Sequence, residues 1–136
     1  MKTKKIITIL VIVFMCFCAC KPKQSAKDRL DWVGYYSGTL PSAGGSGIEV
    51  TIGLYEDETY MLSYHYVGKS PDDDYTRNGR FTWDESGKII NLSVISGEIP
   101  PYYLIGYHTL TQLDMNGNKI TGDLQDMYVL TKVEDQ

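Results

Sequence analysis

The chain has 136 residues, with 13 lysines and arginines against 17 aspartates and glutamates, for a formal net charge of −4. That acidity excludes nucleic acid as a partner, because phosphate binding needs a basic surface, and it excludes adhesion to anionic lipid by charge alone. The length suits one small domain. The three cysteines, Cys16, Cys18 and Cys20, all precede residue 21, so the rest of the chain can hold neither a disulfide nor a thiolate metal cluster.

The first predicted element is a leader. Met1-Lys2-Thr3-Lys4-Lys5 supplies a positive n-region, Ile6 to Phe17 an apolar h-region, and Ala19 the small residue that a signal peptidase needs before its cut. A cysteine directly after such a cut resembles the lipobox of bacterial lipoproteins, in which the first mature residue carries the lipid. Here that residue is Cys20. Phe17 stands where lipoboxes usually carry leucine, and Cys18 is a weaker acceptor because bulky Phe17 precedes it. The other reading of the apolar run is a short stop-transfer anchor, but a membrane span needs roughly 20 apolar residues and this run is shorter.

The expected divisions are a signal peptide over 1–19, a lipidated tether over 20–30 and a folded domain over 31–133. Cleavage removes three lysines and no acids, leaving 117 residues and moving the charge from −4 to −7. Attachment to the membrane then falls to acyl chains such as palmitate on Cys20; one chain holds marginally, whereas several anchor stably. Lys21 to Arg29 is polar, contains Pro22 and reads as the tether. No acidic run follows Cys20. Some envelope lipoproteins use such a run as a surface-export signal, so a periplasm-facing position on the outer membrane is expected.

From Trp32 onward the pattern has period two. Ile48, Val50, Ile52 and Leu54 alternate with Glu49, Thr51 and Gly53. Tyr60, Leu62, Tyr64 and Tyr66 alternate with Met61, Ser63 and His65. Ile90, Leu92 and Val94 form a third such set, and Tyr103, Ile105 and Tyr107 share one face of the next segment. Successive strand side chains point to opposite faces, so each run is a half-buried strand, filled with the β-branched and aromatic residues that strands prefer. Turn residues separate them: Glu56-Asp57-Glu58, a long polar loop from Gly68 to Asn78, Ser86-Gly87, a break from Gly97 to Pro101, and Asn116-Gly117 as a hairpin turn. No useful stretch carries a helical stripe. The fold class is all-β: a small antiparallel up-and-down barrel of about eight strands, closed so that no edge is exposed. Such a barrel is filled by side chains or holds one small ligand.

Several residue groups invite chemistry. Asp72-Asp73-Asp74 offers carboxylates to a hard cation, although such a run ordinarily forms a solvated loop tip. Asp114, Asn116 and Asn118 mimic the start of an EF-hand loop, but Lys119 stands where that loop needs glycine and Gln125 where it needs glutamate. His65 and His108, with Met61, Met115 or Met127, have the softness of a copper site, yet Met61 and His65 oppose the Tyr60–Tyr66 face assigned to the core. Ser42 to Gly47 is glycine-rich without a phosphate-loop signature and reads as a flexible loop. No nucleophile elbow or zinc-protease motif occurs, so the chain is not read as an enzyme. Eleven tyrosines leave two alternatives: a tyrosine-rich core, or a pocket lined by Tyr64, Tyr103 and Tyr107 for a small amphipathic ligand.

Read in order, Trp32-Val33-Gly34-Tyr35-Tyr36, Gly38-Thr39-Leu40-Pro41, Gly47-Ile48, Gly87-Lys88-Ile89-Ile90-Asn91-Leu92, Leu113-Asp114 and Tyr128-Val129-Leu130 resemble the N-terminal domain of the NlpE family, outer-membrane lipoproteins associated with copper resistance. The likeness covers nearly all of the mature domain. It implies a lipocalin-like barrel, no cofactor, and an accessory role in envelope stress sensing or copper homeostasis through contacts with an envelope protein. The alternative is a lipocalin-like carrier of a small apolar or amphipathic ligand. In the family a CxxC pair usually follows the Leu-Pro; here those positions are Ser42 and Gly45, so the family's thiolate copper binding and disulfide sensing do not carry over. The family's second, C-terminal domain is not expected either, since the chain ends just after Lys132.

Overall fold

The computed structural model describes residues 25–93 and 99–134. The segment expected as a signal peptide over 1–19, Cys20 as the expected lipid-bearing residue, Val94 and the start of the break at Gly97 lie outside the described residues. Eight antiparallel strands follow one another round a closed barrel: β1 (Gly34–Leu40), β2 (Ile48–Leu54), β3 (Thr59–Tyr66), β4 (Tyr75–Trp83), β5 (Ile89–Leu92), β6 (Tyr102–Gly106), β7 (Thr109–Gln112) and β8 (Val129–Val133). The ring closes where β1 pairs with β8, Tyr35 opposite Val133 and Ser37 opposite Thr131. Closure gives every described strand a neighbour on both sides over part of its length, which limits the edge that another chain could add to.

The alternation seen in the sequence sets the inner face. Tyr36, Val50, Ile52, Leu54, Leu62, Ile90, Leu92, Tyr103, Leu110 and Leu130 expose no surface at all. Side chains around a void large enough for water would show area to it, so the interior around these residues is filled. Burying each such side chain contributes roughly 1.5–3 kcal/mol.

The loops divide between two ends. The mouth carries the β1–β2, β3–β4, β5–β6 and β7–β8 connections, and the base carries the other three together with both ends of the barrel chain. A single helical turn, α1 (Ala26–Arg29), covers the base. Lys27 N–H donates to the Gly87 carbonyl at 3.0 Å, the Trp32 indole donates to the Lys27 carbonyl at 3.2 Å, and Trp32 meets Phe81 and Trp83 edge-on at 5.7 and 5.4 Å. Gly87 has φ +62, and a Cβ there would collide with Ser25. Residues 25–30, within the segment expected as tether, are thus folded onto the barrel.

Two expectations are corrected, and the hairpin turn at Asn116-Gly117 is found in a shorter form. β4 begins at Tyr75, so Tyr75 to Asn78 belong to a strand and not to the loop. They pair with β3, Thr76 opposite Ser63 and Asn78 opposite Met61; polar residues and a glycine hide the alternation that the pairing imposes. Asn116-Gly117 does turn the chain, with Gly117 at φ +79, but only one bridge, Leu113 to Lys119, closes it, because β7 takes β8 as its partner instead. Tyr107 leaves the face of Tyr103 and Ile105: it sits in the β6–β7 turn, 78% exposed and stacked on His108 at 4.2 Å.

Gly79 lies opposite Tyr60, whose ring carbons and hydroxyl stand 2.9 Å from where a Cβ would be. Tyr60 cannot yield, since it is buried and its hydroxyl donates to the Ser93 carbonyl at 2.8 Å. A strand normally gains from Gly→Ala. Here Gly79→Ala is expected to destabilise by about 1–3 kcal/mol through overpacking, seen as a lower urea midpoint with unchanged slope.

Candidate functional site

The candidate site is the mouth. Its floor comes from three strands: Tyr64 near the end of β3, Tyr103 near the start of β6 and Gln112 at the end of β7. The Tyr64 and Tyr103 hydroxyls lie 3.2 Å apart, and either can donate. The Gln112 amide donates to the Tyr103 oxygen at 3.1 Å. Gln112 is 5% exposed, so this bond satisfies a group whose burial would otherwise be costly. Burial pushes the Tyr64 and Tyr103 phenols well above their usual range. Both are therefore neutral hydrogen-bonding groups at physiological pH.

Above this polar floor opens a cavity of about 320 Å³, walled by Leu40, Pro41, Ile48, Pro100, Met115 and Ile120, with Tyr64 and Gln112 beneath. Tyr64 and Tyr103 are thus brought together. Tyr64 lines the cavity from below, Tyr103 lies deeper, and Tyr107 is at the opposite end. A groove of about 630 Å³ at the base is walled in part by the incoming chain at Ala26, Arg29 and Leu30.

Ser42 and Gly45 sit on the β1–β2 loop beside the mouth. Gly45 N–H donates to the Ser42 carbonyl at 3.2 Å, so one turn joins the two positions. Gly45 has φ +93, and a Cβ on it would meet open space. The turn could present two side chains side by side, but it presents a hydroxyl and nothing.

The other candidates have structural roles. His65, near the mouth on β3, makes a 2.7 Å contact through Nδ1 with Asp74, whereas His108 lies in a base turn at φ +55. The two histidines cannot share an ion. Asp72 and Asp73 form a short 3₁₀ turn capped by Ser70, whose hydroxyl accepts from Asp72 N–H at 3.3 Å. Asp114 accepts from the backbone N–H groups of Asn116 and Asn118 at 2.8 and 2.9 Å; that turn explains the resemblance to a calcium loop. No group of three or more His, Cys, Asp or Glu able to hold a metal occurs among the described residues. Reading the sequence alone missed Gln112: a lone glutamine after Thr-Leu-Thr carries no signal until β6 and β7 pair Tyr103 with it.

Residues 36–123 match the family defined by the NlpE N-terminal domain. The crystal structure of a candidate lipoprotein from Shewanella oneidensis is similar at 37% identity and a TM-score of 0.71, over 80% of this chain and 95% of that one. The crystal structure of the Cpx pathway activator NlpE from Escherichia coli is similar at 26% identity and a TM-score of 0.54, over 66% of this chain and 46% of that one. Against curated protein sequences the chain has no match.

The floor predicts an alkaline transition. A phenol with its folded pKa raised keeps its proton while the unfolded chain loses it above about 10, so stability is full below that value and falls as pH rises further. Tyr36 adds to this: burial, with Asp31 nearby, pushes its phenol up to about 12. Urea midpoints are expected to hold from neutral pH to about 10 and then to fall, less steeply in Tyr64→Phe than in the wild type.

Proposed function

The chain belongs to the family of the NlpE N-terminal domain, and on that premise we propose that it is a non-enzymatic envelope lipoprotein, lipid-anchored through Cys20 to the outer membrane and facing the periplasm, which acts through protein contacts in envelope stress sensing or metal homeostasis. The observation that carries this reading is the family match over most of the barrel together with an interior filled by its own side chains. A filled barrel favours contacts made at its surface over carriage of a ligand within it. Fold alone does not assign a role, so the family relation is what points to the envelope. The lipobox-like Phe17-Cys18-Ala19-Cys20 supports the anchor.

The turn at Ser42 and Gly45 bears on how that role is performed. Without thiols a soft metal has no anionic sulfur to bind there, and no disulfide can form to report oxidation. Any sensing by this domain rests on contacts and not on redox chemistry at the loop.

Two measurements test the reading. On cell fractionation the wild type is expected in the outer membrane and Cys20→Ala in the soluble fraction at high salt; a Cys20→Ala protein that stays on the membrane would sink the anchor. Raising the wild-type level is expected to induce an envelope-stress reporter, with copper or without; a reporter that stays silent in both conditions removes the proposed role. The loop has its own check. The double variant Ser42→Cys/Gly45→Cys is expected to gain Cu(I) binding in competition with a chelator, at about 1 kcal/mol of strain from the positive φ. Wild-type protein binding Cu(I) equally well would place the ligands elsewhere.

A further inference from the structure

We propose that the mouth of the barrel is a docking surface for a cationic segment of a partner protein that inserts a large apolar side chain into the mouth cavity. The orientation of the surface rests on the anchor proposed above; its chemistry does not.

The cavity walls are mainly apolar, formed by Leu40, Pro41, Ile48 and Ile120, with Tyr64 and Gln112 as the floor and Asp114 at the side. Its surroundings extend it. Met115, Leu124 and Met127 are 51%, 51% and 49% exposed, and all three lie on the β7–β8 connection that supplies the cavity wall. Met115 lines the cavity itself, and large exposed apolar side chains on the loop that walls an apolar hollow are the mark of an interaction site. Methionine's flexible thioether suits a surface that must fit a partner's side chain.

Charge identifies the occupant. Among the described residues, the mouth loops carry Asp72, Asp73, Asp74, Asp114, Asp123 and Asp126 against only Lys69 and Lys119. Asp114 lines the cavity itself, and an acidic end with an apolar hollow attracts basic side chains flanking an apolar one. It repels an anionic bilayer, and it repels a second copy of the same end, since a two-fold contact would set like charges face to face.

The tether agrees. α1 fixes residue 25 at the base, and the five residue-to-residue steps from Cys20 to Ser25 can span at most about 18 Å. An anchored chain therefore holds its base toward the lipid. β3, with eight residues, carries the mouth roughly 20 Å farther away. The apolar surface then faces the aqueous space, where a soluble or membrane-bound protein can reach it.

The test uses the full chain in detergent and isothermal titration calorimetry. The probe is an acetylated, amidated peptide Lys-Arg-Phe-Leu-Arg-Lys. It is expected to bind at low salt, and raising the salt to 0.3 M is expected to weaken it several-fold. Replacing its Phe and Leu by Ala is expected to weaken it at least tenfold, and replacing its basic residues by Glu to abolish binding. The triple variant Met115→Ser/Leu124→Ser/Met127→Ser changes only exposed side chains and is expected to lose at least tenfold. Asp123→Asn/Asp126→Asn is expected to flatten the salt dependence, and Tyr107→Ala, at the base, to bind as the wild type does. Failure of the wild type to bind, equal binding of the Glu peptide, or an unaffected triple variant overturns the proposal. Two further results do so as well: a dimer in sedimentation that the triple variant dissociates, and binding of the Cys20→Ala chain to phosphatidylethanolamine–phosphatidylglycerol vesicles that the triple variant loses. The peptide measurements do not involve the anchor. A failed anchor with intact peptide binding removes the orientation alone, and a failed peptide with an intact anchor removes the docking surface alone.

Discussion

Closure of the ring between β1 and β8 is the constraint on which the rest of the structure depends. It consists of three paired residues on each strand, joining segments almost a hundred positions apart in the chain. Tyr36, on β1, crosses into the interior and sends its hydroxyl back to the Trp32 carbonyl at 2.8 Å. Lys132, on β8, reaches the Asp31 carboxylate at 2.8 Å and the Asp31 carbonyl at 2.9 Å, and this hydrogen bond holds the Asp31 carboxyl below its usual range. The same seam thus positions the residues that lead into α1, and through them the cover of the base. An open sheet of these strands would leave β1 and β8 as edges free to pair with other chains.

Closure also divides the molecule's chemistry. Inside, rings and aliphatic chains fill the space; Tyr36, Tyr60, Phe81 and Tyr103 account for much of it. At the mouth the filling ends in a hydrogen-bonded layer of Tyr64, Tyr103 and Gln112, and the apolar cavity lies above that layer. Tyr64 and Tyr103 thus finish the core, and of the two Tyr64 also lines the cavity above it. At the base, by contrast, aromatic packing and the Lys27–Glu58 contact at 2.6 Å hold α1 down; that pair is well exposed and contributes little by itself, so the Trp32, Phe81 and Trp83 contacts carry the attachment.

Much of the barrel was legible because a half-buried strand writes its burial into alternate residues. Val50, Ile52 and Leu54, then Tyr60, Leu62 and Tyr64, announced β2 and β3 with their inner faces correct. The start of β4 was not legible, since Tyr75-Thr76-Arg77-Asn78-Gly79 is polar where it faces out and has lost a side chain where Tyr60 needs room. Tyr107 misled for the opposite reason: it continues a strand pattern one step past Gly106, where the chain has already begun to turn. Of the mouth, Tyr64 and Tyr103 were readable as inward tyrosines. Their mutual contact spans 39 residues and has no local signature.

By itself the sequence determined the all-β class and the run of alternating strands. These follow from residue type and spacing, which act within a few positions of the chain. Only the tertiary structure decided that Ser42 and Gly45 share one turn beside the mouth, that His65 and His108 stand at opposite ends, that Gln112 completes the floor, and that residues 25–30 cover the base. Each of those depends on which strands become neighbours when the ring closes, and strand neighbours are set by burying the whole inner face at once, not by any short stretch of residues.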